Sequence, residues 1–240
     1  MKIKVIKGFL QIFAGRVGMK FNLKLLAIFF ITTILLYVVN ITPPINWGLS
    51  SSIIVVAILI IFLGELNKKK LSINYLVMVA TMSAFAAIGR ILFVGIASFQ
   101  PMSFIVMITG YTWGKRSGFL VGAVGAFISN LYLGQGPWTP WQMLGWGLCG
   151  ILAGFLGERQ NSLRYIYFIA LAGFCGIFYG LIINVWHWLA FTYPLNTATF
   201  IAVFTSSLPF DIMHLTGNIL FAIILAKPFY NILSKYKKYI

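Results

Sequence analysis

Acidic side chains are almost absent: three Asp and Glu stand against 18 Lys and Arg in 240 residues, and charged residues of both signs amount to 9%. A soluble domain carries about 25% charged residues, so this chain lacks the polar groups to cover a globule in water. Histidine and cysteine are as scarce, two of each. Cys149 and Cys175 both fall inside apolar runs and read as small buried hydrophobes, not as a disulfide or a thiolate metal site. No Gly-rich phosphate loop, His-x-x-x-His pair or paired carboxylate set occurs. Phosphoryl transfer, metal-assisted hydrolysis and glycosidic chemistry are therefore left without their groups, and no metal or cofactor is expected. The net charge of +15 sits in short clusters between apolar runs, which suits membrane topology better than nucleic-acid binding.

What is present is apolar: 60% hydrophobic, 17% aromatic, with a mean hydropathy of +0.95. Apolar runs lie at roughly 24–40, 49–64, 72–92, 101–114, 117–133, 142–157, 165–190 and 208–230, most of them near the ~20 residues that cross a bilayer core of about 30 Å. The expectation is an all-α integral membrane protein with eight spans, the fourth short. The basic N-terminus, Met1 to Lys24, has no small-residue cleavage site after it and is not read as a removable signal. Eight spans put 17 of the 18 Lys and Arg residues on one side, from Lys2 through Lys68–Lys70, Lys115, Arg116, Arg159 and Arg164 to Lys238. By the positive-inside rule that side is cytoplasmic and holds both termini. The loops near 41–48, 93–100, 134–141 and 191–207 face outward.

Arg90 is the exception, near the outer end of the third span. At the same depth lie Asn130, Gln142, Asn184, His187 and the series Asp211, His214, Asn218, whose i, i+3, i+7 spacing shares one helix face. Ionisable groups in spans usually meet a partner or a wet cavity, and a few convergent polar groups in apolar walls are how small-molecule pockets are made. An Arg90–Asp211 ion pair with amides tying helices together is the plainer alternative. Trp138, Trp141, Trp186 and Trp188 also fit an interfacial aromatic belt. A hydrolase built on Asp211, His214 and Ser206 or Ser207 has no supported nucleophile geometry. Ala80, Ala84 and Ala87 form one smooth stripe and Gly118, Gly122 and Gly125 another; internal packing or a partner subunit explains either.

The stripe Ala80-x-x-x-Ala84, "SNLYLGQGPWTPWQM" and "PFDIMHLTGN", with six spans after Leu71, resemble the substrate-binding S components of energy-coupling factor (ECF) transporters. The resemblance implies a six-helix core over 69–240, preceded by an extension, 1–68, with two further spans. It implies a vitamin-like cargo, captured on the outer face of a prokaryotic cell membrane. A transmembrane T component with two cytoplasmic ATPases would supply the energy, so the chain itself is no enzyme. Ala80 and Ala84 become the docking face. Arg90, Asn130, Gln135, Trp138, Thr139, Trp141, Gln142, Asn184, His187, Asp211, His214 and Asn218 become substrate-binding residues. A cobalamin-like corrinoid is the first cargo to consider, then a queuosine precursor or a flavin. A self-sufficient secondary transporter and an intramembrane enzyme remain open as other readings, although no inverted repeat or set of in-span carboxylates supports the former.

Overall fold

Residues 50–60 (save 54 and 58), 72–158 and 160–237 are described by the computed structural model. The first apolar run, the basic N-terminus, the junction at 65–70 and Arg159 lie outside the described residues. Among the described residues every regular element is helical. A helical segment over 50–60 is followed by α1 (Ile73–Leu92), α2 (Met102–Trp113), α3 (Lys115–Leu133), α4 (Thr139–Gly157), α5 (Tyr165–Phe191) and α6 (Thr197–Lys235). Contacts place all of these in one unit, Asn46–Ile240. Three helices, α1, α5 and α6, are long and apolar enough to cross a membrane.

The organising element is α2. All twelve of its residues are buried, which accounts for the lack of any polar stripe in its sequence: a helix apolar on every side has neighbours on every side. Thr109 and Thr112 return their hydroxyls to the carbonyls of Ile105 and Ile108, so they add no unpaired polar group. Gly114, at φ 90°, makes the turn from α2 into α3. There α3 and α4 close on α2 with almost no side chain between them. A Cβ on Gly150 would overlap the backbone of Gly118, and one on Gly118 would meet the Cα of Gly110 at 2.6 Å. The glycine stripe of α3 is thus an internal packing surface. The alanine stripe divides: Ala87 is buried, Ala84 half-buried and Ala80 exposed.

Helix bounds follow the apolar runs closely in α1, α2 and α5. Two differ. Thr139, Pro140 and Trp141, expected in a loop, form the first turn of α4, where proline's missing N–H costs nothing. The outer loop expected at 191–207 is only Thr192–Asn196, because α6 starts at Thr197. Asn196 accepts from the Thr199 amide while Thr199 Oγ1 accepts from the Asn196 amide, a complete capping box. Pro209 then sits inside the helix rather than at its start. At 1.5 Å per residue, 39 residues make α6 about 58 Å long, well beyond a ~30 Å hydrocarbon core. Its first turns pair with the end of α5, where Trp188 Nε1 donates to Thr199 Oγ1 at 3.1 Å and its ring meets Phe200 edge-on.

Candidate substrate site

The two ends of the bundle differ in chemistry. One end carries the ion pair Lys115–Glu158 at 3.0 Å and the Lys227 ammonium over the Tyr165 ring. At the other end, all six helices contribute to one continuous set of polar and aromatic contacts.

Arg90, in the last turn of α1, starts it. Its Nη1 donates to Ser129 Oγ and to Asn130 Oδ1 of α3, each at 2.7 Å. Asn130 is fully buried and passes the connection on: its Nδ2 donates to Thr139 Oγ1 at 2.9 Å and Gln142 Oε1 at 2.7 Å, both in the first turn of α4. Thr139 in turn donates to Gln135 Oε1 and receives the Gly136 amide, fixing the short loop before α4. The guanidinium of Arg90 also lies 4.8 Å from the ring centre of Trp146, a cation–π distance.

Trp146 is the hub. It has no exposed surface. Its ring stacks on Tyr179 of α5 at 4.3 Å, and Tyr179 meets the His214 ring of α6 edge-on at 5.1 Å. The indole Nε1 donates to Ser103 Oγ of α2 at 3.0 Å, and that oxygen lies 2.6 Å from His214 Nε2. Ser103 therefore closes a ring of contacts through Trp146, Tyr179 and His214. The glycines on either side of Trp146 let neighbouring rings approach α4: a Cβ on Gly145 would meet Tyr179 at 3.0 Å, and one on Gly147 would crowd the ring of Phe119.

A second cluster lies between α5 and α6. Asp211 Oδ2 accepts from Ser207 Oγ at 2.8 Å and from Asn184 Nδ2 at 3.2 Å, and Asn184 also donates to Ser207 at 2.6 Å. Gly180 makes room for the carboxylate, since a Cβ there would overlap it. Asp211 does not pair with Arg90: among the described residues the ion pair within 4.0 Å is Lys115–Glu158. Nor does Asp211 orient His214, whose ring nitrogen faces Ser103. The i, i+3 spacing put both on one helix face, yet Asp211 pairs with Ser207 one turn earlier and with Asn184 of α5, and His214 with Ser103 of α2.

Most of the expected site residues join these clusters, and a few stand apart. Trp138 meets Trp186 edge-on at 6.1 Å. Trp141 lies beside the packing of Phe119 with the 50–60 segment. His187 is exposed and touches only the rings of Trp186 and Phe191 among the aromatic contacts described. Gln135 is exposed, its amide spent on the Phe127 carbonyl and Thr139. Asn218 lies one turn past His214 and donates to the Ala172 carbonyl at 3.2 Å. Ser103, Ser129, Trp146 and Tyr179 had not been singled out, and Ser207 had been considered only as a hydrolase nucleophile. Single hydroxyls in apolar runs carry no periodic signal; Trp146, set between two glycines in "GWG", carried one that went unused.

A family model described as "ECF transporter, substrate-specific component" matches residues 74–226, more than half of the chain. The chain belongs to that family. The match spans every residue of the Arg90, Trp146 and Asp211 clusters. Among the described residues no group of three or more His, Cys, Asp or Glu side chains comes together. Two UPF0397 proteins from different strains of Aliivibrio fischeri are each 29% identical over 122 residues, 45% of this chain and 66% of theirs. A UPF0397 protein of Aliivibrio salmonicida is 32% identical over 89 residues, 35% of this chain and 48% of its own. The chain thus spans just under two thirds of the first relatives' length and about half of the third's. No solved structure matches it.

Proposed function

We propose that this S component captures a vitamin-like micronutrient at the Arg90 end of its bundle, on the outer face of a prokaryotic cell membrane, with both termini in the cytoplasm. The cluster centred on Trp146 carries this reading. A buried indole stacked on a phenol ring, a cation against the indole and an imidazole edge-on to the phenol make a rigid aromatic cluster, and Asn130, Gln142 and Thr139 set neutral donors and acceptors beside it. Arg90 meets a carbonyl or anionic group of the cargo, Asp211 and Asn184 meet its donors, and Trp138 and Trp141 cover it. Residues 69–240 form the substrate-binding domain, to which 1–68 add two spans. Cargo release is driven by a T component and two ATPases that dock on the face of α1 bearing Ala80 and Ala84; the exposure of Ala80 supports that role.

The test is direct. Native mass spectrometry of gently purified protein, followed by a thermal-shift panel of a cobalamin-like corrinoid, a queuosine precursor and riboflavin, is expected to yield one stoichiometric ligand that Asp211→Asn and Trp138→Ala weaken. A protein that carries and binds none of them, with its T component supplied, would overturn the reading.

A further inference from the structure

The segment 50–60 lies outside the region that matches the family, yet it reaches the site. Ser52 Oγ donates to the carbonyl of Pro137 at 2.8 Å. Pro137 belongs to the loop 134–138, and the next two residues are Trp138 and Thr139, the first bearing on Trp186 and the second bonded to Asn130. The segment is held firmly enough to act as an anchor. Val55 and Leu59, on the same face as Ser52, are buried against Phe119 and Ala123 of α3, with Trp141 and Leu144 packed on the same cluster. Its opposite face shows Ile53, Val56 and Ile60 outward, as a helix with a lipid-facing side would.

The Pro137 carbonyl shares a rigid peptide plane with the Trp138 amide and lies two residues from Thr139, so a bond that holds it restrains both neighbours. We infer that Ser52 is a positioning residue that latches the loop 134–138 over the substrate site, so that an element outside the six-helix body governs how fast cargo leaves. This rests on the proposed binding function, because it assigns the loop to the cover of that site. The chain of contacts runs from Ser52 to Pro137, through Thr139 to Asn130, and so to Arg90. Release of the first contact loosens the loop without removing any group that faces the cargo.

Hydrogen–deuterium exchange of the full-length protein in lipid nanodiscs, without ligand, reads the latch itself. In Ser52→Ala the amides of 131–145 are expected to exchange about fivefold faster, the equivalent of one hydrogen bond, while those of α2 stay at the wild-type rate and Ser52→Thr restores protection. Unchanged exchange over 131–145 in Ser52→Ala overturns the inference. With a panel compound bound, Ser52→Ala should raise the dissociation rate about fivefold and change association less. If no panel compound binds the wild type, the proposed function falls, and the exchange data still decide the latch.

Discussion

Replacing Trp146 by Phe tests the centre of the site most sharply, because it keeps a ring and removes three separate interactions. The indole N–H to Ser103 is lost, which is worth about 1 kcal/mol net for a buried hydrogen bond. The cation–π contact with Arg90 weakens, since the smaller ring has the poorer face and sits farther from a guanidinium now 4.8 Å away; a loss of about 0.5–1 kcal/mol is expected. The missing five-membered ring leaves roughly 40 Å³, which at ~24 cal/mol per Å³ costs about 1 kcal/mol. Together these predict a destabilisation of about 2–3 kcal/mol and a melting temperature lower by roughly 5–10 °C in mild detergent. The affinity for whichever compound the panel identifies should fall at least tenfold, as the smaller ring stacks less of its face on Tyr179 and leaves Ser103 without its indole donor. Trp188→Phe is the control: the Trp188 side chain donates to Thr199 and meets Phe200 near the end of α5, so stability should drop slightly and affinity should hold. If Trp146→Phe matches the wild type in both readouts, Trp146 is not the hub and the site must be sought elsewhere.

Gly150→Ala places a methyl group into the backbone of Gly118 and should cost several kcal/mol, seen as loss of monodisperse protein in size-exclusion chromatography; overpacking of this kind has no flexible side chain to yield. Asp211→Asn removes the charge while its amide oxygen can still accept from Ser207 and Asn184, which both donate to the one oxygen Oδ2; cargo affinity should fall about tenfold with a change in melting temperature of only a few degrees. Arg90→Gln keeps hydrogen bonding to Ser129 and Asn130 within reach but removes the charge. If Arg90 meets an acceptor on the cargo, affinity should fall 10- to 100-fold by isothermal titration calorimetry, while a purely structural Arg90 would give wild-type affinity. Ala80→Trp fills the exposed position on α1 and should abolish ATP-driven uptake in proteoliposomes while leaving cargo binding intact.

The six apolar runs after Leu71 were legible because each helix is longer than its irregular connections and apolar over most of its length. Where reading failed, the reason was local. In α6, "TATFIAVFTSSLPF" mixes β-branched, hydroxyl and proline residues that individually disfavour a helix interior, and Pro209 looked like a first turn. The capping box at Asn196 and Thr199 outweighs them, and one proline removes only one backbone hydrogen bond. The candidate site was half legible for a related reason. Charged and amide side chains in an apolar span stand out singly, so Arg90, Asn130, Gln142, Asn184 and Asp211 were found. Which of them touch depends on the order and tilt of six helices, and periodicity within one helix is silent about that. His214 illustrates it: sequence spacing offered Asp211, and the fold supplied Ser103 from α2, 111 positions away.

That rearrangement of partners bears on what the site can hold. Had Arg90 and Asp211 formed an ion pair, each would have spent its charge on the other, and the cluster would present a neutral surface. Instead Arg90 is held by a hydroxyl, an amide oxygen and a ring face, all formally neutral, while Asp211 is held by a hydroxyl and an amide N–H. Neutral partners orient a charge without cancelling it, and in a medium of low dielectric the remaining field is strong. The two charges therefore stay available, Arg90 against the ring of Trp146 and Asp211 beside Gly180 of α5. On the proposed reading, the cargo that gains most is flat in its middle, rich in acceptors at the end facing Arg90 and rich in donors at the end facing Asp211. A compound with one strong negative charge and no donors would satisfy Arg90 at the expense of repulsion from Asp211, and should bind more weakly than a polar one of the same size.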